Sequence, residues 1–172
     1  MSPKPTSGSI RSAYTYLPRL NALLRERVAA LTPEQLAIQP GPERWPLWAT
    51  IGHLACQRVF WLCDFAGEPG AATSLFPNAG FNCPGDDDLD RVWSADELVD
   101  ALDRTFEIVD RCLDTWTFEG LEEVIRRPEW GEDRVHSRGD VIQRLLAHDI
   151  EHIGELGDAL RANGLQGVDI WN

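Results

Sequence analysis

Ala147-His148-Asp149-Ile150-Glu151-His152-Ile153-Gly154-Glu155-Leu156 is the stretch from which the rest of the chain can be read. Two histidines four apart on an α-helix lie about 40° from each other around the axis and one turn apart along it, so both imidazoles can point at one atom. That is a pair of metal ligands in need of a third. His53 offers one, in the earlier helical stretch Trp48-Ala49-Thr50-Ile51-Gly52-His53-Leu54-Ala55. The expected fold is a helical bundle that closes His53 onto His148 and His152.

The totals bound the classes of function. At 172 residues and 43% hydrophobic, the chain suffices for one domain with a substantial core and is short for two. A net charge of −12 and a pI near 4.6 repel phosphate backbones and anionic lipid surfaces, and no basic block offsets them. Nucleic acid and membrane are therefore not expected partners. The N-terminus has Pro and Ser without an apolar segment, and no later stretch stays apolar for the ~18 residues that a membrane span needs, so a cytoplasmic protein is expected. The four cysteines, Cys56, Cys63, Cys83 and Cys112, form no C-x-x-C pair. In a reducing cytosol their default is free, mostly buried thiols.

Residues 1–8 offer nothing to bury and read as a disordered arm, leaving 9–172 as the single domain. From Ser9, Ile10, Ala13, Tyr14, Leu17, Leu20, Leu24 and Val28 recur at helical spacing, with a kink expected at Pro18. Thr32-Pro33-Glu34-Gln35 reads as a capped short helix. The third helix, roughly Pro46 to Ala66, is apolar nearly all round, which places it in a bundle centre or at a dimer interface. A long Gly-, Pro- and Asn-containing loop follows, from Gly67 to Asp90, of the kind that serves as a lid or binding loop. Ser94 and Glu97 form a capping box for a helix to about Thr117. Val124-Ile125-Arg126 and Arg134-Val135-His136 can pair as a small hairpin around Glu129 to Asp133. Ser137 with Asp140 starts the last helix, and Asn163-Gly164 stops it. On it Val141, Leu145, His148, His152 and Ala159 face one way, so the histidines occupy inward positions of an apolar seam.

Three neutral imidazoles suit Zn²⁺, Ni²⁺ or Fe²⁺, and three protein ligands leave coordination positions open, as in a catalytic rather than a structural site. Inward histidines also occur as hydrogen-bonded core residues, but three polar rings in one apolar core need a common reason. His148-Asp149-Ile150-Glu151-His152 also matches the inverted zinc-peptidase pattern H-x-x-E-H. That reading is set aside, because such a peptidase draws a further ligand from a later segment and little chain follows His152. Glu151 points about 60° away from His148 and Glu155 only about 20°, so Glu155 is the better candidate to fix an imidazole. Asp86, Asp88, Asp90 and Glu97 mimic places one, three, five and twelve of a calcium loop, but Arg91 stands where the turn glycine belongs, and a solvated loop is the better reading. Cys56, one turn after His53, offers a soft ligand or simply a small core residue. Trp45, Trp48, Phe60 and Trp61 could line a pocket or the core. His136 reads as a surface or capping residue.

Two stretches carry a resemblance to a known family. Trp45-Pro46-Leu47-Trp48-Ala49-Thr50-Ile51-Gly52-His53-Leu54-Ala55 is similar to the "W-s-x-x-e-x-x-x-H-l" helix, and His148 to Leu156 to the "H-x-x-x-H-x-G-q" helix, of the DinB/YfiT-like metalloenzymes. The resemblance runs from the first helix to Gly164. It implies an all-α, up-and-down four-helix bundle with a long crossing connection, often dimeric, holding a divalent metal on a histidine triad; by position that triad is His53, His148 and His152. It implies no DNA-polymerase activity despite the name. Related branches are thiol-dependent S-transferases using bacillithiol or mycothiol and a mycothiol-dependent maleylpyruvate isomerase. Glu155 stands where glutamine is frequent, and the loop before the helix that starts at Ser94 is unusually acidic, which suits a cationic or neutral substrate better than an anionic one.

The resulting expectation is a divalent-metal-dependent enzyme, a homodimer acting on a small molecule with a low-molecular-weight thiol. The metal acts as a Lewis acid that lowers the pKa of a thiol, which then attacks a small electrophile. The alternatives are a hydrolase using metal-bound water and a non-catalytic metal- or ligand-binding bundle. A triad facing a cavity favours chemistry; a site closed by a fourth protein ligand such as Cys56 or Glu155 favours structure.

Overall fold

Local hydrogen bonds set where the helices begin. In the computed structural model, which describes residues 8–80, 82–86, 88–131 and 135–171, all three expected capping boxes form. Thr32 Oγ1 accepts from Gln35 N at 3.3 Å, Ser94 Oγ from Glu97 N at 3.3 Å and Ser137 Oγ from Asp140 N at 3.0 Å. Each satisfies amide groups that have no partner inside the helix. They open α2 (Pro33–Leu36), α4 (Ala95–Thr115) and α5 (Arg138–Ala162). Two more helices complete the set, α1 (Tyr16–Ala29) and α3 (Leu47–Val59).

The start of α1 differs from expectation. The chain first makes a 3₁₀ turn, Ile10–Ser12, and the α-helix begins only at Tyr16. Pro18 therefore falls in the first turn, where a missing N–H leaves no hydrogen bond unmade, and the expected mid-helix kink has no cause. The arm expected over 1–8 lies outside the described residues except for Gly8.

The four long helices share one core: α3 packs on α4 and α5, and α1 packs on the same two. Every residue from Leu47 to Cys56 is buried, as an all-round apolar helix requires. The segment continues as a π-helical stretch, Phe60–Phe65, in which Ala66 N donates to Trp61 O at 3.0 Å, five residues back.

The chain is mostly helical but not all-α. Val124–Arg126 (β1) and Val135–Ser137 (β2) pair antiparallel, with Ile125 opposite His136. The helical period does not extend through this stretch, and extended residues flanking the Pro128–Trp130 turn fold back on each other instead. Arg134, expected in the second strand, lies outside the described residues.

One further feature corrects the sequence reading and a second adds to it. Cys56 and Cys83 are joined in a disulfide, leaving Cys63 and Cys112 as free thiols; α3 and the long loop bring the pair together across a separation of 27 residues. Arg58 and Asp149, both only 1% exposed, form an ion pair at 2.9 Å between α3 and α5. Arg58 Nη1 also donates to Asn21 Oδ1 on α1 at 2.7 Å, and the guanidinium lies 5.5 Å from the Phe106 ring of α4. One buried cation thus touches all four long helices. The loop after the π-helical stretch is also packed, with Phe76 buried and stacked on Trp93.

Candidate metal centre

The packing of α3 against α5 brings together the three histidines that the sequence singles out. His53 Nε2 and His148 Nε2 lie 3.0 Å apart. The His148 and His152 ring centroids are 4.5 Å apart, and His53 stands 5.4 Å from His152. One donor nitrogen from each ring lies within 4.8 Å of the other two. Ligands at the corners of a tetrahedron around Zn²⁺, with Zn–N of about 2.0–2.1 Å, stand about 3.3 Å apart, so the donors are close to the spacing that an ion requires.

The charge state of His148 fits as well. Burial pushes His148 down to about 3, and the neighbouring His152 and His53 add to the shift. At neutral pH that imidazole is uncharged and its lone pair is available. Three neutral nitrogen donors match Zn²⁺, Ni²⁺ or Fe²⁺ better than hard oxygen-seeking ions such as Mg²⁺ or Ca²⁺.

Carboxylates stand beside the outer nitrogens of two rings, and the one on His152 is hydrogen-bonded to it. Glu155 Oε2 lies 3.0 Å from His152 Nδ1, one turn along the same helix. Asp86 Oδ2 lies 3.1 Å from His53 Nδ1. A carboxylate on the far nitrogen fixes the tautomer and turns the other nitrogen toward an ion. The sequence reading anticipates Glu155 from its angle on the helix. It misses Asp86, because nothing local reveals that the loop folds back over α3. Two glycines mark that approach. A Cβ on Gly52 would meet Pro84 at 3.0 Å, and one on Gly85, whose φ is +87°, would come within 2.8 Å of the Trp45 ring. Pro84 and Gly85 therefore press onto α3 and Trp45, and the Trp45 ring centroid lies 4.9 Å from that of His53.

A cavity of about 670 Å³ opens beside the triad, reaching His152 and Glu155 and lined by Trp45, Leu47, Thr50 and Leu156 among others. Glu43, Arg44 and Asp158 stand at its polar edge, and Arg44 Nη1 reaches Glu155 Oε1 at 3.3 Å.

The remaining candidates are placed elsewhere. Cys56 is committed to its disulfide. Glu151 is exposed. Of the four aromatic candidates only Trp45 lines the cavity: Trp48 is buried, while Phe60 stacks on Trp130 at 5.1 Å and Trp61 packs on Phe65. His136 is no cap; it sits in β2, with its ring 5.5 Å from Trp61 and 5.4 Å from Phe65. The calcium-like acids do not converge. Asp88 Oδ1 accepts from the amides of Asp90 and Arg91, and Glu97 is held by Ser94 and Arg91.

A predominantly helical chain with clustered imidazoles beside a cavity defines a class of small helical proteins able to hold a metal. The sequence model of the DinB superfamily matches residues 16–156, a span that contains all three histidines, and the chain belongs to that superfamily. The fold is similar to that of a DinB-like protein from Bacillus cereus ATCC 10987, with a TM-score of 0.68 and 18% identity over 95% of this chain and 98% of the other. No curated protein matches the sequence. Among the described residues no helix is long and apolar enough to cross a membrane.

Proposed function

We propose that this protein is a divalent-metal-dependent enzyme that transfers a low-molecular-weight thiol, of the bacillithiol or mycothiol type, to a small electrophile. The observation that carries the reading is the placement of the triad beside the cavity. His152 lines that space, and no fourth protein donor closes the set among the described residues, since Cys56 is bonded to Cys83 and Glu155 sits on the outer nitrogen of His152. A site left open in this way suits chemistry better than scaffolding.

In this reading His53, His148 and His152 hold the ion through neutral nitrogens, and Asp86 and Glu155 keep two of the rings turned inward. When bound, the ion supplies Lewis acidity, which favours the thiolate form of a thiol at neutral pH. Trp45, Leu47 and Leu156 exclude water along one side of the cavity, and the acidic edge at Glu43 and Asp158 favours a neutral or cationic acceptor. The same reading takes residues 9–172 as one four-helix-bundle domain working as a cytoplasmic homodimer, a state that light scattering checks directly.

Elemental analysis of the untagged protein, beside His53→Ala, His148→Ala and His152→Ala, tests the assignment. One Zn, Ni or Fe per chain in the wild type, lost in all three variants while the helical circular dichroism persists, is the expected result. Turnover of thiols with electrophiles by the loaded protein then identifies a transferase, and turnover of esters or amides without a thiol identifies a hydrolase. Metal without either activity identifies a binding bundle. Full metal occupancy in the variants would overturn the site.

A further inference from the structure

The disulfide stands close to the candidate centre. Cys56 lies about one turn beyond His53 on α3, and its partner Cys83 is three residues before Asp86. Donor atoms of His53, Cys83 and Asp86 lie within 4.8 Å of one another, a second cluster that shares only His53 with the triad. The two clusters use different sides of that ring. Nε2 faces His148, whereas Nδ1 faces the Asp86 carboxylate at 3.1 Å. Gln57 Nε2 donates toward Cys83 Sγ at 3.8 Å, a contact that favours a sulfur carrying negative charge. Asp86 is half-exposed and gives an ion a path from solvent.

We propose that reduction of the Cys56–Cys83 bond opens a second divalent-metal site, built from the His53 imidazole, the Cys83 thiolate and the Asp86 carboxylate. The exchange balances with a small dithiol or two monothiols as reductant. Two electrons pass to the protein disulfide, two cysteine thiols form, and the reductant leaves as its own disulfide. When the ion binds, the Cys83 thiol proton goes to solvent. Cys56, fully buried in α3, stays a thiol.

The two donor sets differ in character. Three neutral imidazoles leave the full charge of a divalent ion to act on a substrate. One thiolate and one carboxylate offset that charge and supply the soft donor that favours Zn²⁺ or Co²⁺. Because His53 serves both, a neutral ring cannot hold an ion on Nδ1 and on Nε2 together, and the reduced chain draws its ion away from the triad. Thiol exchange at a buried bond thereby sets where the metal sits. The triad keeps its ion while the bond is closed, and the second site itself does not depend on the functional reading.

Cobalt(II) titration reads the sulfur directly, since thiolate ligation gives a near-ultraviolet charge-transfer band that histidine ligation lacks. Cys56→Ser keeps Cys83 as a free thiol without added reductant, and it is expected to show the band on adding Co²⁺. The oxidised wild type should show none and should gain it after dithiol treatment, with mass spectrometry recording the opened bond. Cys56→Ser/Cys83→Ser should lack it, which excludes Cys63 and Cys112 as the source. Cys56→Ser/His152→Ala should retain it even if the triad assignment fails, so the two readings fail separately. Absence of the band from Cys56→Ser, or its persistence in Cys56→Ser/Cys83→Ser, overturns the proposal.

Discussion

Arg58→Met is the substitution on which the packing argument stands most exposed. It removes a guanidinium that is 1% exposed and leaves its length of apolar chain roughly in place. Asp149, equally buried, then loses the donor that holds Oδ2 at 2.9 Å, and Asn21 loses the one that holds its side-chain oxygen at 2.7 Å. Breaking a buried pair by removing one partner costs about 3–5 kcal/mol, because a desolvated charge is left behind. For a chain of this length that corresponds to a fall in Tm of roughly 8–15 °C. The double variant Arg58→Met/Asp149→Leu removes both charges, and its loss should be smaller, about 0–2 kcal/mol, so that the cycle couples the two residues by more than about 2 kcal/mol. The pH dependence has a defined sign. Burial raises the Asp149 carboxyl above the usual carboxylate range, Arg58 opposes the shift, and the single variant loses that opposition. A group whose folded pKa is raised contributes stability at low pH that is lost as pH rises, so Arg58→Met should be more stable near pH 5 than near pH 8. Urea unfolding of the wild type, Arg58→Met, Asp149→Leu and the double variant at both pH values measures all of this. A single-variant loss below about 1 kcal/mol, or additive losses, would refute the claim that this pair fastens α3 to α5.

Four further outcomes are expected. Ser94→Ala removes the cap of α4 and should cost about 1 kcal/mol in denaturant unfolding. Hydrogen bonding to Ser94 holds the Glu97 carboxyl down to about 2, so its stabilisation is present above its ordinary range and lost as pH falls from about 4.5 toward 2; Glu97→Gln should flatten that limb of the pH–stability curve. Gly85→Ala forces a left-handed residue and sets a methyl 2.8 Å from Trp45, and it should lower stability by about 1–2 kcal/mol and shift the tryptophan emission; an unchanged spectrum would mean that the loop does not press on that ring. Glu155→Ala frees His152 Nδ1 and should weaken metal binding by about 10–100-fold in a chelator competition, with helical content unchanged.

What the sequence discloses follows from the range of the forces involved. The starts of α2, α4 and α5 are legible because a capping box is closed by residues three apart, and the His148–His152 pair is legible because helical pitch alone sets its geometry. His53 follows from its place on a helix with no polar face to turn toward water. Arg58 and Asp149 escape the same reading, since a charged residue on a helix is ordinarily solvated and only the packing of segments 91 residues apart shows otherwise. Asp86 and Cys83 escape it too. Their partners are chosen by the path of a long loop, and neither charge nor cysteine spacing specifies where such a loop lands. The hairpin is visible from its β-branched residues, but its standing against an otherwise helical chain is decided by pairing across the turn.

The π-helical stretch after Val59 acts as a change of phase within one rod. Each residue of a helix is rotated by about 100° from the one before it, so a widened turn aims its own side chains on bearings that an α-helical turn would not give. Before it, the segment addresses His53 to α5; within it, Phe60 and Phe65 meet Trp130, and Phe65 also meets His136 of the hairpin. Two neighbours on different bearings are served by a single continuous element, and the angle between them is written into residues 60–65 rather than into a joint.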